Sequence, residues 1–274
     1  MSFRATGSPQ PVDPAQQTPP KVPSPRQSSP QGGRERTRRA VSAEPSPEEF
    51  APEPLSLLRP PGGLATATTV LLALSGLYAL LLTGTGLYLG AALRDGSYPD
   101  AGTEDGRTLP DTLMALAGLL EIPLLIVTAA LFVAWFHRVH HNALILGRDA
   151  VTRSAAWAVG GWFVPFAFLR IPYRMAKEIW AASLRRGPDG ARRPVSTAPV
   201  TTWWLVWISA LFASRVFGIL HDRAAEADGL ATAATAAAVY GALLLAASVF
   251  AIRFVRALTA MQTARGAQGP YAAR

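Results

Sequence analysis

The chain has 274 residues, half of them apolar, and a formal net charge of +8. It has no cysteine, which excludes disulfides, thiolate metal sites and cysteine nucleophiles. The apolar residues lie in long blocks instead of being spread as in a soluble domain, and such blocks mark membrane-spanning helices.

Residues 1–60 come first. Of the 23 prolines, 14 fall within residues 1–63, among many Ser, Gln and Gly. A segment of that composition cannot bury enough apolar surface to offset the entropy of ordering it. It has no apolar h-region and no cleavage pattern, so it does not read as a signal peptide. The expectation is a disordered, Pro-rich cytoplasmic tail over 1–60. Arg34, Arg36, Arg38 and Arg39 cluster within it. They read either as a contact for phosphate, anionic lipid or a partner, or as part of a solvated tether.

Five apolar blocks follow. Leu64 to Leu93 carries no charge and exceeds the roughly 20 residues that cross a hydrocarbon core. Its Gly86 and Gly90 form a small-xxx-small pair, which allows another helix to approach closely. Thr112 to Phe136 is interrupted by Glu121 and Pro123. The third block, Ala155 to Leu169, is only 15 residues long and contains Gly160, Gly161 and Pro165. It is short for a span, and its Gly and Pro favour a break. Val200 to Leu220 holds Arg215, and Leu230 to Ile252 is uncharged and Ala-rich. Ala233, Ala237 and Gly241 place small residues on one stripe of the last block, the pattern of a helix packed on its neighbours.

Loop charges orient these blocks. Eight Lys/Arg precede Leu64, and residues 170–199 carry six Arg and one Lys. Residues 94–111 hold five acids against two Arg, and residues 221–230 hold three acids against one Arg. Cytoplasmic loops collect Lys and Arg. Four spans, with the third block dipping in or lying in the interface, put every basic segment inside and both acidic loops outside. A fifth span would place the most basic loop on the wrong face. The expected protein is therefore a multi-pass protein of the cell membrane with both termini cytoplasmic. In that topology Trp135, Trp157, Trp162, Trp180, Trp203, Trp204 and Trp207 all fall near the inner boundary, a layer that indole rings prefer.

After the third block comes IPYRMAKEIWAASLRRG. Pro172 suits a helix start and Gly187 with Pro188 an end. Met175, Ile179, Trp180 and Leu184 share one face, while Arg174, Lys177, Glu178 and Arg185 share the other. Arg174 and Glu178 are spaced to pair along the helix. A basic amphipathic helix beside a span reads as lying on the anionic inner leaflet. Packing on the cytoplasmic end of the bundle buries the same stripe. Trp157, Trp162, Pro165, Pro172, Tyr173, Arg174, Lys177, Trp180 and Arg185 together form an expected cytoplasmic platform.

Polar residues inside the spans are the other candidates. Glu121 lies nine residues into its block, and ionisable groups at such depth are costly and often functional. Arg215 on the fourth block is the expected partner, as a structural ion pair, unless it snorkels outward. His137, His140 and His141 form HRVHH, and His137 and His141 stand one turn apart as a metal pair would. The chain has only four histidines and an Arg between these, so they read as interfacial polar residues. No Gly-rich phosphate loop, nucleophile elbow or pair of catalytic carboxylates is present, and no nucleic-acid module is recognisable. No catalytic residue, metal or cofactor is expected.

The stretches AWFHRVHHNALILG, WAVGGWFVPFAFLRIPYRMAKEIWAAS and TTWWLVWISA resemble the actinobacterial domain-of-unknown-function family DUF4328. With the flanking spans, the likeness covers roughly residues 64–260. The most specific feature is a Trp-x-x-x-x-Trp-Phe-x-Pro core followed by Pro-Tyr. Family members usually carry Asn where this chain has Phe168, so any polar role of that Asn is missing here. The resemblance implies a bacterial multi-pass membrane protein and no particular activity. A bacterial source also fits the cations, 24 Arg to 2 Lys, a ratio typical of GC-rich genomes.

These observations converge on an all-α integral membrane bundle. It has four spanning helices, a short re-entrant or interfacial segment and a cytoplasmic amphipathic helix. The expected divisions are the tail over 1–60, a membrane domain over 61–260 and a short cytoplasmic tail over 261–274. The leading functional expectation is a non-enzymatic module that binds a protein partner or anionic inner-leaflet lipid at its cytoplasmic face. The alternative is a small proton-coupled transporter working through Glu121 as a homo-oligomer, since four spans rarely enclose a path alone. A lipid-modifying enzyme ranks last.

Overall fold

The computed structural model describes residues 57–98, 109–185 and 195–267. Most of the proline-rich tail with its arginine cluster, and the final residues, lie outside the described residues. Those described belong to one unit, and no strand occurs among them. Four long helices make the frame: α1 (Gly62–Arg94), α2 (Leu109–Gly147), α5 (Ala198–Arg223) and α6 (Ala227–Ala267). Each is long and apolar enough to cross a membrane. At 1.5 Å rise per residue they extend about 40–60 Å, more than the roughly 30 Å hydrocarbon core. Two short helices, α3 (Ala155–Gly160) and α4 (Ile171–Ala182), lie between α2 and α5.

α1 and α6 form the most extensive pair, and they run antiparallel. Gly76 faces Leu245 and Ser248, Gly86 faces Ala234 and Ala238, and Gly90 faces Thr235. The small residues let the two backbones meet. A Cβ on Gly86 would stand 2.6 Å from the Ala234 carbonyl oxygen, and one on Gly241 would stand 2.8 Å from that of Ala79. Near the end of α1 the pair is tied by Arg94, whose guanidinium donates to Thr235 Oγ1 at 2.6 Å and to the Gly90 carbonyl at 3.1 Å. α5 packs along the other side of α6, and α2 along α1. Thr68 Oγ1 donates to the Leu131 carbonyl at 3.3 Å.

The start of α1, the end of α2, the start of α5 and the end of α6 gather at one end of the bundle, called here the aromatic end. α6 runs past residue 260 to Ala267, and Gln262 is buried, so the expected boundary at 260 cuts through a helix. The third apolar block does not cross the bundle. It makes α3, a turn, a short 3-10 helix over Ala167–Leu169, and then α4. Gly161 sits so close to Ile171 that a Cβ there would meet its Cγ2 at 2.8 Å, so the segment folds back on itself.

Candidate functional site

The aromatic end is assembled from helical stripes. Phe132 and Phe136 stand one turn apart on α2, and Trp203 and Trp207 one turn apart on α5, so each pair shares a face. Phe254 of α6 stacks on Trp203 with centroids 4.6 Å apart and planes 9° from parallel. It meets Trp135 edge-on at 5.6 Å. Trp162, from the folded-back segment, stands edge-on to both Phe132 and Phe136 at 5.7 Å and to Trp207 at 5.8 Å. Its indole N–H donates to the Ala158 carbonyl at 3.1 Å. Trp180 of α4 stacks on Phe254 at 6.3 Å. Such pairs contribute about 0.5–1.5 kcal/mol each beyond their buried area. Of the seven tryptophans, only Trp157 stays outside this cluster, and it is exposed.

A polar seam lies beside the rings. Gln262 Nε2 donates to the Val139 carbonyl at 2.8 Å and to Ser183 Oγ at 3.2 Å, while its Oε1 accepts from Asn142 Nδ2 at 3.1 Å. Asn142 in turn exchanges two hydrogen bonds with the backbone of Arg59, at 2.8 and 3.0 Å. The seam joins α2, α6 and the end of α4 to the chain entering α1. Sequence reasoning passed over both residues. The available signal was a polar side chain one turn beyond Leu258 on an otherwise apolar stripe.

The apolar stripe of α4 is covered. Met175, Ala176, Ile179 and Trp180 are buried inside the protein, which is the packing alternative of the two readings of this stripe. Phe254 and the α2 face supply closer and better-shaped partners than lipid tails. Pro172 is buried in the first turn, and Tyr173 stacks on Trp204 at 5.8 Å, its hydroxyl 3.0 Å from Thr201 Oγ1. The expected pair of Arg174 with Glu178 does not form among the described residues. Glu178 instead accepts the Thr152 N–H at 3.1 Å and its hydroxyl at 2.6 Å, closing the turn that leads into α3. His140 is fully buried, and its Nε2 donates to the Arg153 carbonyl at 3.2 Å. Among the described residues, no three His, Asp or Glu side chains come together as a metal site would require.

Two surfaces remain outward at this end. Arg170, Arg174, Lys177 and Arg185 are exposed. Lys177 Nζ lies 5.5 Å from the Tyr173 ring. Next to α4 in sequence, the loop that includes exposed Pro165 turns its apolar side chains out. Phe163 is 75% exposed and Phe166 85%, far above what a packed loop would leave. Phe166 also has φ of 59°, a conformation that bulky side chains rarely adopt and that costs of the order of 1–3 kcal/mol.

The half-buried carboxyl group of Glu121 has a different partner from the one expected. Glu121 Oε1 accepts from the Tyr240 hydroxyl at 3.1 Å, and Tyr78 stands beside the same carboxyl. Three helices thus converge on Glu121 about 18 Å along α2, deep in the span. Arg215 stands at similar depth, since Phe217 two residues on stacks on Tyr240 at 6.2 Å. It is exposed on α5 and makes no ion pair with Glu121 among the described residues. The reason is spacing: α2 and α5 meet through Phe132 and Trp203, centroids 5.5 Å apart, and a cleft separates them beyond that contact.

Glu121→Gln combined with Tyr240→Phe is therefore expected to show a coupling of about 0.6–1.7 kcal/mol in thermal unfolding in detergent, the range for hydrogen bonds between membrane helices. Glu121→Gln with Arg215→Gln should be additive within about 0.5 kcal/mol. The reverse pattern would restore the ion pair.

The model of the family described as Domain of unknown function (DUF4328) matches residues 101–260. That stretch takes in α2 to most of α6 and leaves α1 outside. No curated protein and no solved structure matches the chain.

Proposed function

This chain belongs to the DUF4328 family, whose description assigns no activity, and from that premise and the geometry we propose a non-enzymatic membrane module that binds a partner or anionic lipid through its aromatic, basic end. One observation carries the reading. Phe163 and Phe166 are held outward, Phe166 on a backbone that costs free energy, next in sequence to a helix whose exposed face includes Arg174 and Lys177. Apolar side chains that insert and cations that meet phosphate are the two elements of an interfacial contact. The aromatic cluster and the Gln262 seam beneath supply a rigid base. The apolar face of α4 takes no part, because it is inside the protein.

The test is charge reversal. Arg174→Glu, Lys177→Glu and Arg185→Glu together should leave the protein folded. In flotation with vesicles of mixed phosphatidylcholine and phosphatidylglycerol, about 1 kcal/mol per charge near the surface predicts loss of most of the preference for the anionic lipid. A lysate partner, if that is the ligand, should be lost at the same time. Binding unchanged by the triple reversal would reduce this end to a plug.

The same reading places this end of the bundle in the cytoplasm, on the strength of its arginines. Reporter fusions at Ser97 and Ala227 should report the outside, and fusions at Arg148, Gly190 and Arg274 the inside. An outside signal at Gly190 would invert or break the four-span arrangement.

A second reading keeps Glu121 as a proton-handling residue in an oligomeric transporter. Its support is the convergence of Tyr78 and Tyr240 on a carboxyl group deep in the span. Flux into vesicles that survives Glu121→Gln, or no flux in the wild type, would remove it.

A further inference from the structure

We propose that the cleft between α2 and α5 is a binding site for one lipid acyl chain. The cleft encloses about 200 Å³. Its walls are Leu125 and Ala129 on α2 and Trp207 and Leu211 on α5, and its floor includes Leu72 and Leu244. Phe132, Trp162 and Trp203 close it at the aromatic end. Leu125, Ala129 and Leu211 are exposed on its rim, so it opens sideways. The opening lies in the apolar stretch of two helices built to cross a membrane, where the surrounding medium is hydrocarbon.

Water fits this space poorly. At about 30 Å³ each, some six or seven molecules would be needed, and each requires two to four polar partners. The walls offer few. Ser75 Oγ already donates to the Leu71 carbonyl at 2.9 Å and lies 3.3 Å from Thr128 Oγ1. An empty cleft loses the dispersion contacts of its lining on every side. A hydrocarbon chain entering between Leu125 and Leu211 restores them and ends on a flat aromatic wall. The site differs from the outward face proposed above, since it uses other residues and takes the uncharged part of a lipid. Trp162 links the two. Its ring caps the cleft, and its neighbour Phe163 begins the exposed loop, so a seated chain braces that loop from beneath.

The test uses the full chain in nanodiscs of phosphatidylcholine that include a phosphatidylcholine with a photoreactive diazirine near its acyl terminus. Labelled positions are read by peptide mass spectrometry. Ala129→Phe fills the mouth of the cleft from an exposed position. It should lower labelling of the α5 stretch around Leu211 by about tenfold, the size expected from a clash at the low end of the overpacking range. Labelling of Leu74 and Leu120, in the larger open groove between α1 and α2, should persist. Leu125→Ala widens the mouth and should raise labelling at Leu211. Because the lipid is neutral, the charge reversals at Arg174, Lys177 and Arg185 should leave the pattern unchanged, so this site and the basic face can fail separately. Labelling at Leu211 that ignores both Ala129→Phe and Leu125→Ala overturns the proposal. If Ala129→Phe instead abolishes labelling everywhere, the fold is lost and Leu125→Ala decides: an increase at Leu211 supports the site, and no change overturns it.

Discussion

Gly241→Val is expected to separate α6 from α1 and destabilise the bundle by at least about 3 kcal/mol, the upper end of the range for overpacking. The position allows no local escape. A Cβ at Gly241 would stand 2.5 Å from Thr83 Oγ1, 2.8 Å from the Ala79 carbonyl oxygen and 2.9 Å from the Thr83 amide nitrogen. Two of those atoms are backbone, so no side chain can rotate away and the helices must part. Parting them breaks the most extensive helix pair among the described residues and pulls Arg94 from Thr235. In a bilayer little hydrophobic force would draw the helices back, because lipid tails are as apolar as the faces they replace. Gly86→Val, facing the Ala234 carbonyl from the other helix, should act alike. Gly84→Val serves as the control: it lies two residues away on α1 with nothing within 4 Å and should cost only the small penalty of a β-branched residue in a helix. The measurement is the midpoint of thermal unfolding in detergent. Equal midpoints for Gly241→Val and Gly84→Val would mean that the glycines do not set the α1–α6 distance.

That contact was legible in the sequence as the stripes Gly86–Gly90 and Ala233–Ala237–Gly241, because close approach demands small residues at helical spacing. The four spans were legible for a similar reason, since crossing hydrocarbon demands long uncharged runs. The fate of α4 was not. An apolar stripe of Met175, Ile179 and Trp180 carries the same pattern whether lipid or protein covers it, and only the position of Phe254 decides. Glu121 marked itself by its cost, but its partner did not, because a tyrosine hydroxyl such as Tyr240 follows no charge rule. Arg215 was the obvious complement by sign and depth, yet the cleft between α2 and α5 keeps it apart. The buried Asn142 and Gln262 were hidden by their surroundings, each among other polar residues near the end of a long helix where exposure is the ordinary state. The folded-back segment announced a break through Gly160, Gly161 and Pro165, but not which residues would face out. Phe163 and Phe166 are 75% and 85% exposed, and nothing in the spacing of an apolar loop singles them out.

Trp203→Ala is expected to cost about 3–5 kcal/mol, the range for truncating a large buried aromatic side chain. Read from sequence, Trp203 falls with six other tryptophans near the inner boundary, a layer that indole rings prefer whether or not they are packed. In the structure it is 3% exposed, stacked on Phe254 and within 5.6 Å of both Phe132 and Trp204. Those rings come from α2, α5 and α6, so removing the indole opens a void where α2 and α5 meet through Phe132. Trp157, 38% exposed and outside the cluster, is the matched control. Trp157→Ala should change the unfolding midpoint by an amount corresponding to about 0.5 kcal/mol or less, as surface substitutions do. The contrast separates two roles that the same residue type plays in membrane proteins. A belt tryptophan positions a helix against the headgroups; a core tryptophan holds helices to each other. If both substitutions shift the midpoint equally, Trp203 is only a belt residue, and the rigid base beneath the exposed Phe163 and Phe166 is not there.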